Sequence, residues 1–282
     1  MSKKVTVTAP AKLNLTLEVL RKRDDGYHEI RSVIQAIDWC DTLHFEVGKD
    51  VSFKCDMEGW SAEASLVSRA AQLVKEAAGD KGASITIEKR IPLLSGLGGD
   101  SSDAAAVLRG LNDFWQLNLS QEKLRELAAQ LGSDVFFFLQ GGTALVEGRG
   151  ERVTPLPSLP ETWAVLVVPD VPVKKGKTAA MYASLIPGYF TDGAITGRLV
   201  DTLRKGMGFS PSQLFNTFGN IAFISGKLRT YKEHLVKMGA PGIHLAGSGP
   251  TLFTMFMDKS TAEKFYESCV KQGMKTYLAR TL

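Results

Sequence analysis

The segment PLLSGLGGDSSDAA, residues 92–105, decides how the rest of the sequence is interpreted. Its three glycines allow backbone N–H groups to converge on an anion. Ser101 and Ser102 add hydroxyl donors where an apolar helical run begins, at the positive end of the helix dipole. This combination is typical of a triphosphate-binding loop. A plain glycine-rich turn that caps a helix remains the alternative, and the absence of a GxxxxGK[ST] pattern argues against a P-loop nucleotidase.

Three further segments carry polar residues suited to the same chemistry. Lys12 and Asn14 are two apart in an alternating strand, which places them on one face. Asp134 follows a helix stop and precedes the apolar run 135–139, so it predicts a carboxylate at the mouth of a buried run. The GSGP turn at residues 247–250 offers a second nest of backbone amides. Taken singly, these residues also suit a solvated lysine, a helix-flanking turn residue and a tight turn.

Composition narrows the class of protein. The chain has 282 residues, of which 44% are hydrophobic and 23% charged, which is ordinary globular usage. A net charge of +4 without a basic block predicts no nucleic-acid partner. The three cysteines are widely spaced and odd in number, which supports neither a disulfide framework nor a structural zinc site. With no signal peptide or membrane span in the sequence, we expect a cytoplasmic protein without a membrane partner.

Periodicity predicts an α+β chain of two domains with two sheets. The prolines within residues 149–161 interrupt all periodicity, so the domains are predicted as residues 1–157 and 158–282. The N-terminal strand pair is expected to break at Pro10. The other predicted strands are 42–47, 51–55, 84–88, 163–168, 251–257 and 275–279; the predicted helices are 62–78, one from Ser120 to Gly132, 178–185, 226–238 and 261–272.

The order and content of these motifs resemble the GHMP kinases. That family has a first motif of the form PxKxNL, a GLGxSS-type phosphate loop and a glycine-rich turn near the C-terminus, and all three are present. The resemblance implies a ribosomal-protein-S5-domain-2-like ATP-binding domain, a ferredoxin-like C-terminal α/β domain and an active site in the cleft between them. It also implies ATP as phosphoryl donor, Mg²⁺ with the nucleotide, no organic cofactor, and a monomer or homodimer.

Within the family, three patterns resemble one branch: GLGGxSSDAA, the DGYH segment at 25–28, and GSD paired with a later EGRGE. That branch acts in the non-mevalonate route to isoprenoids and phosphorylates the C2 hydroxyl of a cytidine-diphosphate-linked methylerythritol. One alternative is another GHMP kinase, of the homoserine or mevalonate type, whose substrates offer no base for Tyr27 to stack on. The other is a non-catalytic, ligand-sensing relative.

The resemblance also assigns roles to residues. The catalytic pair falls on Lys12 and Asp134, and Asn14 would bind the erythritol part of the substrate. The cytosine would be held by Tyr27, His28 and Tyr182, with further substrate contacts from Gly247 and Ser248. The residues implied to bind ATP are Pro92, Leu94, Ser95, Gly96, Leu97, Gly98, Gly99, Asp100, Ser101 and Ser102. The metal ligands stay unassigned.

Two positions depart from the family pattern. Asp100 replaces a glycine of the phosphate loop, which could bring a carboxylate beside phosphates. We expect its side chain to turn outward, because backbone N–H groups would supply the anion contacts of the loop. Phe136 replaces a proline and is expected to alter the turn that aims Asp134.

Overall fold

The computed structural model describes residues 4–79 and 81–282, which group into two compact units. The first unit comprises the described residues up to Ala11, Trp39–Leu93 and Gly98–Gly141. The second comprises Lys12–Asp38, Leu94–Leu97 and Gly142–Leu282. This grouping differs from the predicted domains 1–157 and 158–282, because the long strands β1 (Val5–Lys22) and β2 (His28–Val47) contribute residues to both units. The predicted boundary therefore stays a prediction.

Strand β1 corrects the prediction that the N-terminal strand breaks at Pro10. It runs without interruption from Val5 to Lys22. A proline tolerates extended backbone wherever its missing N–H is not needed for pairing, so Pro10 need not end a strand. Residues 23–27 form the turn that joins β1 to β2.

Among the described residues, the first unit packs four helices with four strand segments, one of which is residues 5–11 of β1. Residues 42–47 of β2 pair antiparallel with β4, which pairs in parallel with β3. Gly110 allows the central helix α2 to pack closely on this sheet, because a Cβ at that position would lie 2.2 Å from the Phe45 ring. The remaining elements of this unit are β3 (Val51–Cys55), α1 (Leu66–Ala78), β4 (Ala83–Glu88), α2 (Gly99–Trp115), α3 (Gln121–Ala129) and α4 (Ser133–Gln140).

The second unit contains an antiparallel sheet of order β11-β7-β10-β9. In addition, β5 pairs antiparallel with residues 30–35 of β2 and with β6, and β8 pairs in parallel with β1. The elements are β5 (Thr143–Gly148), β6 (Arg152–Pro155), β7 (Trp163–Val167), α5 (Lys177–Ala183), α6 (Ala194–Arg204), β8 (Phe215–Asn216), α7 (Gly219–Ala222), α8 (Gly226–Lys237), β9 (His244–Leu245), β10 (Leu252–Phe256), α9 (Lys259–Lys271) and β11 (Thr276–Arg280).

The buried core of the second unit joins this sheet to its helices. Leu17 and Val19 of β1 pack with Val165 of β7, Phe218 and Leu235 of α8. Apolar burial of this kind contributes about 25 cal/mol per Å² of surface removed from water. The core therefore fixes β1, and with it the polar residues that precede Leu17 in the same strand.

The predicted α+β class with two sheets is confirmed. One local expectation was wrong: the proline-rich segment contains the strand β6, which ends at Pro155. That strand pairs only with β5 among the described residues, and an edge strand tolerates a missing donor. Strand β5 and helix α6 were not predicted. No helix in the described part of the chain is long and apolar enough to cross a membrane.

Candidate active site

The phosphate-loop segment enters helix α2 earlier than the sequence suggested. Gly98 is the N-cap, in the left-handed region at φ 76°, and the helix begins at Gly99. Ser101 and Ser102 therefore lie in its first turn. Ser102 is fully buried, and its Oγ has no hydrogen-bond partner among residues 4–79 and 81–282. A buried hydroxyl of this kind at a helix N-terminus is suited to an incoming anion.

Asp100 has a partner that the sequence did not indicate. Its carboxylate is exposed and accepts hydrogen bonds from the Ser65 hydroxyl and from the backbone N–H of Leu66, the latter at 3.2 Å from Oδ2. Ser65 is itself the N-cap of α1 and accepts from the Val67 N–H. The negative charge of Asp100 thus interacts with the positive end of the α1 helix dipole. This exposed position agrees with the expected outward orientation of its side chain.

A buried charge cluster under α2 was missed by the sequence reasoning. Lys89 Nζ lies 2.5 Å from Asp41 Oδ2 and 2.6 Å from Asp103 Oδ2, and all three side chains are almost completely buried. Asp41 also accepts the backbone N–H groups of Arg90 and Ile91. This Lys89 cluster joins β2, the residue that follows β4 and the N-terminal part of α2.

The cluster shifts the ionisation of its members. Burial raises the pKa of Asp103 to about 8, assisted by the charge of Asp41 and opposed by Lys89. Burial acts to lower the pKa of Lys89, but Asp103 and Asp41 outweigh it and raise that pKa. Two carboxyls sharing one ammonium carry one excess negative charge, so one carboxyl keeps its proton more readily than an exposed aspartate.

In the second unit, Lys12 and Asn14 lie together as the alternation predicted. Both are buried, with Lys12 only 5% exposed. Lys12 Nζ donates to Asn14 Oδ1 at 2.7 Å, and Asn14 Nδ2 donates to Ser32 Oγ at 2.9 Å. The amide of Asn14 is therefore held between β1 and β2, and it orients the ammonium of Lys12.

Two glycine turns meet this pair. A Cβ on Gly247 would lie 2.9 Å from the carbonyl oxygen of Gly96 and 3.4 Å from Lys12 Nζ. A Cβ on Gly96, whose φ is +87°, would lie 2.1 Å from the Ala246 oxygen. Only glycine fits such approaches at positive φ. The beginning of the phosphate loop, the Lys12 strand and the C-terminal turn thus form one polar group, which we call the Lys12 group.

The loop residues before Gly98 contribute through their backbone. Leu97 is completely buried and Ser95 nearly so, and Leu97 accepts a hydrogen bond from the Lys12 N–H at 2.9 Å. Leu94 is exposed and adopts a positive φ of 54°. Contacts of Pro92, Leu94, Ser95 and Leu97 with ATP stay predictions.

Lys177 is a further basic residue at the Lys12 group that the sequence analysis did not single out. Its Nζ donates to the carbonyl oxygens of Leu94 and Gly249, the former at 3.2 Å. The next residue, Thr178, hydrogen-bonds Ser248 between hydroxyls at 2.9 Å. Burial lowers the pKa of Lys177 to about 8, and the positive charge of Lys12 adds to the effect.

The predicted aromatic residues are partly brought together. His28 stacks on Tyr182 with ring centroids 4.9 Å apart, and Tyr182 packs edge-on against Phe218. Burial, assisted by Lys22, lowers the pKa of His28 and so favours its neutral form. Tyr27 is 58% exposed, and the guanidinium carbon of Arg149 lies 4.8 Å from its ring centroid. His28 and Tyr182 thus form a stacked pair, and Tyr27 lies largely exposed beside Arg149; we call these three rings the aromatic residues of the site.

Asp134 lies in the first turn of α4, which begins after Gly132. Position 136 is inside this helix, where phenylalanine is compatible with the backbone, and its ring faces Arg125 at 5.8 Å. Asp134 belongs to the first unit and Lys12 to the second, so their joint action stays a prediction.

Comparisons with known proteins agree on one family. The description "GHMP kinases N terminal domain" matches residues 65–142. A 4-diphosphocytidyl-2-C-methyl-D-erythritol kinase of Dehalococcoides mccartyi is 50% identical over 280 residues, covering 99% of this chain and 98% of that protein. One of Listeria monocytogenes is 35% identical, covering 98% and 96%.

Solved structures give the same result. The crystal structure of a 4-(cytidine 5'-diphospho)-2C-methyl-D-erythritol kinase has a TM-score of 0.83 at 32% identity, covering 98% of this chain and 99% of the other. A homoserine kinase of Cytophaga hutchinsonii has a TM-score of 0.72 at 20% identity, covering 100% and 95%. The second likeness shows the fold alone, and together these structures confirm the predicted GHMP kinase fold.

Proposed function

Since the chain belongs to the 4-diphosphocytidyl-2-C-methyl-D-erythritol kinases of the GHMP kinase family, we propose that it transfers the γ-phosphoryl group of ATP to the C2 hydroxyl of that cytidylyl substrate. The products are the 2-phosphate and ADP. The observation that carries the proposal is the Lys12 group, where a buried lysine, an amide and two glycine turns from distant parts of the sequence lie together. A protein catalyses phosphoryl transfer mainly by positioning the reactants and by stabilising negative charge, and the residues of this group are suited to both.

The catalytic roles follow from the chemistry of the transfer. The C2 oxygen forms a bond to the γ-phosphorus while the bond from that phosphorus to the bridging oxygen breaks and ADP leaves. Asp134 accepts the proton of the hydroxyl as general base. Lys12, oriented by Asn14, supplies positive charge that favours the attacking oxygen. Asn14 also contacts the erythritol part.

The nucleotide and the base take separate surfaces. The backbone N–H groups of the Gly98–Gly99 turn and the hydroxyls of Ser101 and Ser102 would bind the phosphates of ATP at the α2 N-terminus. Tyr27, His28 and Tyr182 would hold the cytosine, with Gly247 and Ser248 contacting the substrate from the C-terminal turn. A neutral His28 can both donate to and accept from the base edge.

Magnesium fits this site as a partner of the nucleotide. No group of three or more carboxylate, histidine or cysteine side chains suited to a metal occurs among the described residues. Mg²⁺ commonly binds substrate phosphates and water with few protein ligands. The phosphates of ATP and water molecules would therefore supply most of its ligands. When bound it neutralises charge on the triphosphate.

The test is ADP release measured with a panel of acceptors. We expect release with the cytidylyl substrate and none above background with homoserine or mevalonate, and phosphorus NMR of the product should place the new phosphate on C2. Asp134→Asn should lower kcat at least about 100-fold, because the base is lost. Turnover of another acceptor would favour a different GHMP kinase, and no turnover with any acceptor would favour a non-catalytic relative.

A further inference from the structure

Lys177 occupies a position that the fold alone does not explain. Its ammonium is partly buried and donates to two neutral acceptors, the carbonyl oxygens of Leu94 and Gly249. One of these belongs to the segment that leads into the phosphate loop, and the other to the GSGP turn. Leu94 is one of three non-glycine residues with positive φ in the described part of the chain, a conformation that L side chains rarely adopt.

The charges around Lys177 favour an anion. Lys12, from β1, faces it with a second positive charge, whereas the loops at 94–97 and 247–250 present neutral carbonyl groups. Lys174 and Lys175 of the same segment are exposed, so solvent screens their charges. Two ammonium groups that border the same glycine turns repel each other at low dielectric, and a bound polyanion would relieve that repulsion.

The position of Lys177 is fixed from its own side as well. Thr178 hydrogen-bonds Ser248 within the GSGP turn, so the start of α5 is tied to this turn by two successive residues. The ammonium of Lys177 therefore reaches the Lys12 group from α5, an element far in sequence from the PxKxNL strand β1. A long lysine stem allows the Nζ atom to move by a bond rotation without moving the helix.

We propose that Lys177 is a second phosphate-binding cation of this site, whose ammonium exchanges its two backbone carbonyl partners for a phosphate oxygen of a bound ligand. The inference deepens the proposed function and rests on it, since that function brings two sources of phosphate oxygen: the triphosphate of ATP and the diphosphate of the cytidylyl substrate. Lys177 is a binding residue in this proposal and takes no proton from the acceptor hydroxyl.

The first test is calorimetric binding of two probes, a non-hydrolysable ATP analogue and cytidine 5'-diphosphate. Lys177→Gln should weaken at least one probe by about 10- to 100-fold, the value of one charge-assisted hydrogen bond. The probe that weakens identifies the source of the phosphate. Lys175→Gln, an exposed lysine of the same segment with the same change in charge, should leave both affinities within about twofold.

The second readout is the pH dependence, which a merely structural lysine would not give. In the free protein the pKa of Lys177 is about 8, and a bound phosphate would raise it, so binding takes up a proton and weakens as pH rises. Both probes are already fully ionised above about pH 7.5, because the second pKa of a phosphate ester is about 6. The arginine of Lys177→Arg stays charged at about pH 7.5 and at about pH 9.5. After subtraction of any pH effect that Lys177→Gln also shows, the affinity of Lys177→Arg should therefore be the same at both pH values.

Two results would overturn the inference. One is a loss of less than tenfold for both probes in Lys177→Gln. The other is an arginine variant as weak as the glutamine variant at both pH values, which would make Lys177 a tie between two loops. Binding requires no turnover, so a chain that fails to phosphorylate the cytidylyl substrate yet shows Lys177-dependent binding would contradict the proposed function and leave this inference standing.

Discussion

Two buried lysines of this chain make different contacts. Lys89, in the first unit, has a side chain only 2% exposed and lies between the carboxylates of Asp41 and Asp103. Lys12, in the second unit, donates to the neutral amide of Asn14, and its charge adds to that of Lys177. The contrast separates two uses of a buried ammonium. Lys89 and its two carboxyl partners hold elements of the fold together, whereas Lys12, Lys177 and the glycine turns beside them are suited to a phosphate ligand.

The largest expected effect is the loss of stability when the charge of Lys89 is removed. Lys89→Met leaves Asp41 and Asp103 facing each other without a cation, and removing one partner of a buried ion pair costs about 3 to 5 kcal/mol. We expect the free energy of unfolding in urea to fall by that amount. Lys123→Met, which removes an exposed lysine paired with Glu126, should cost less than about 1 kcal/mol. Equal losses in the two variants would contradict the structural role of Lys89.

The same cluster predicts a dependence of stability on pH. The pKa of Asp103 is raised from 3.8 to about 8, so between these values the folded state binds more protons than the unfolded state. The free energy of unfolding should therefore fall as pH rises from about 4 to about 8, by up to about 1.4 kcal/mol per pH unit. Asp103→Asn should remove this component. Parallel stability curves for the wild type and the variant would show that Asp103 titrates normally.

The aromatic residues of the site give the next effect, on substrate selection. Tyr27→Ala should weaken the cytidylyl substrate by about 1 to 3 kcal/mol, a typical stacking contribution, and should hardly change ATP affinity. Tyr27→Phe keeps the ring and should bind within a few-fold of wild type. An equal loss for both ligands in the alanine variant would point to a folding defect, and no loss for either would place the base elsewhere.

Asp100 provides the smallest effect. Its carboxylate accepts from Ser65 and Leu66 at the α1 N-terminus, so Asp100→Gly should cost about 0.5 to 2 kcal/mol of stability. The KM for ATP should change less than about fivefold, with no change in Mg²⁺ dependence. Ser65→Ala should be less costly in the Asp100→Gly background than alone, because the two residues share one hydrogen bond. A large rise in Mg²⁺ requirement would instead make Asp100 a metal-site residue.

Local periodicity was enough to predict much of this fold. The continuous apolar run from Trp163 and the helical spacing after Thr261 predicted β7 and α9 within two residues, because β7 is buried after its first residue and α9 buries one face. The two-residue spacing of Lys12 and Asn14 correctly placed both on one face of β1. Edge strands such as β6 bury little and pair on one side, so their sequence carries no comparable signal.

Residues whose role depends on tertiary contacts could not be predicted from the sequence. The buried charge cluster joins residues from three separate segments, Asp41, Lys89 and Asp103. Their spacing in the sequence does not indicate that they are in contact. Lys177 looked like one of several lysines in an exposed segment, and only the structure distinguishes it from Lys175. Charge clusters become visible when the fold brings distant segments together, whereas glycine motifs carry their geometry in the sequence.

The Lys12 group is expected to serve phosphoryl transfer rather than the stability of the fold. The most direct test is kcat of Lys12→Ala with ATP and the cytidylyl substrate, measured by coupled ADP release alongside urea unfolding. We predict a fall in kcat of at least about 100-fold, a smaller change in the KM for ATP, and a stability loss well below that of Lys89→Met. A folded Lys12→Ala enzyme with near wild-type kcat would contradict the claim.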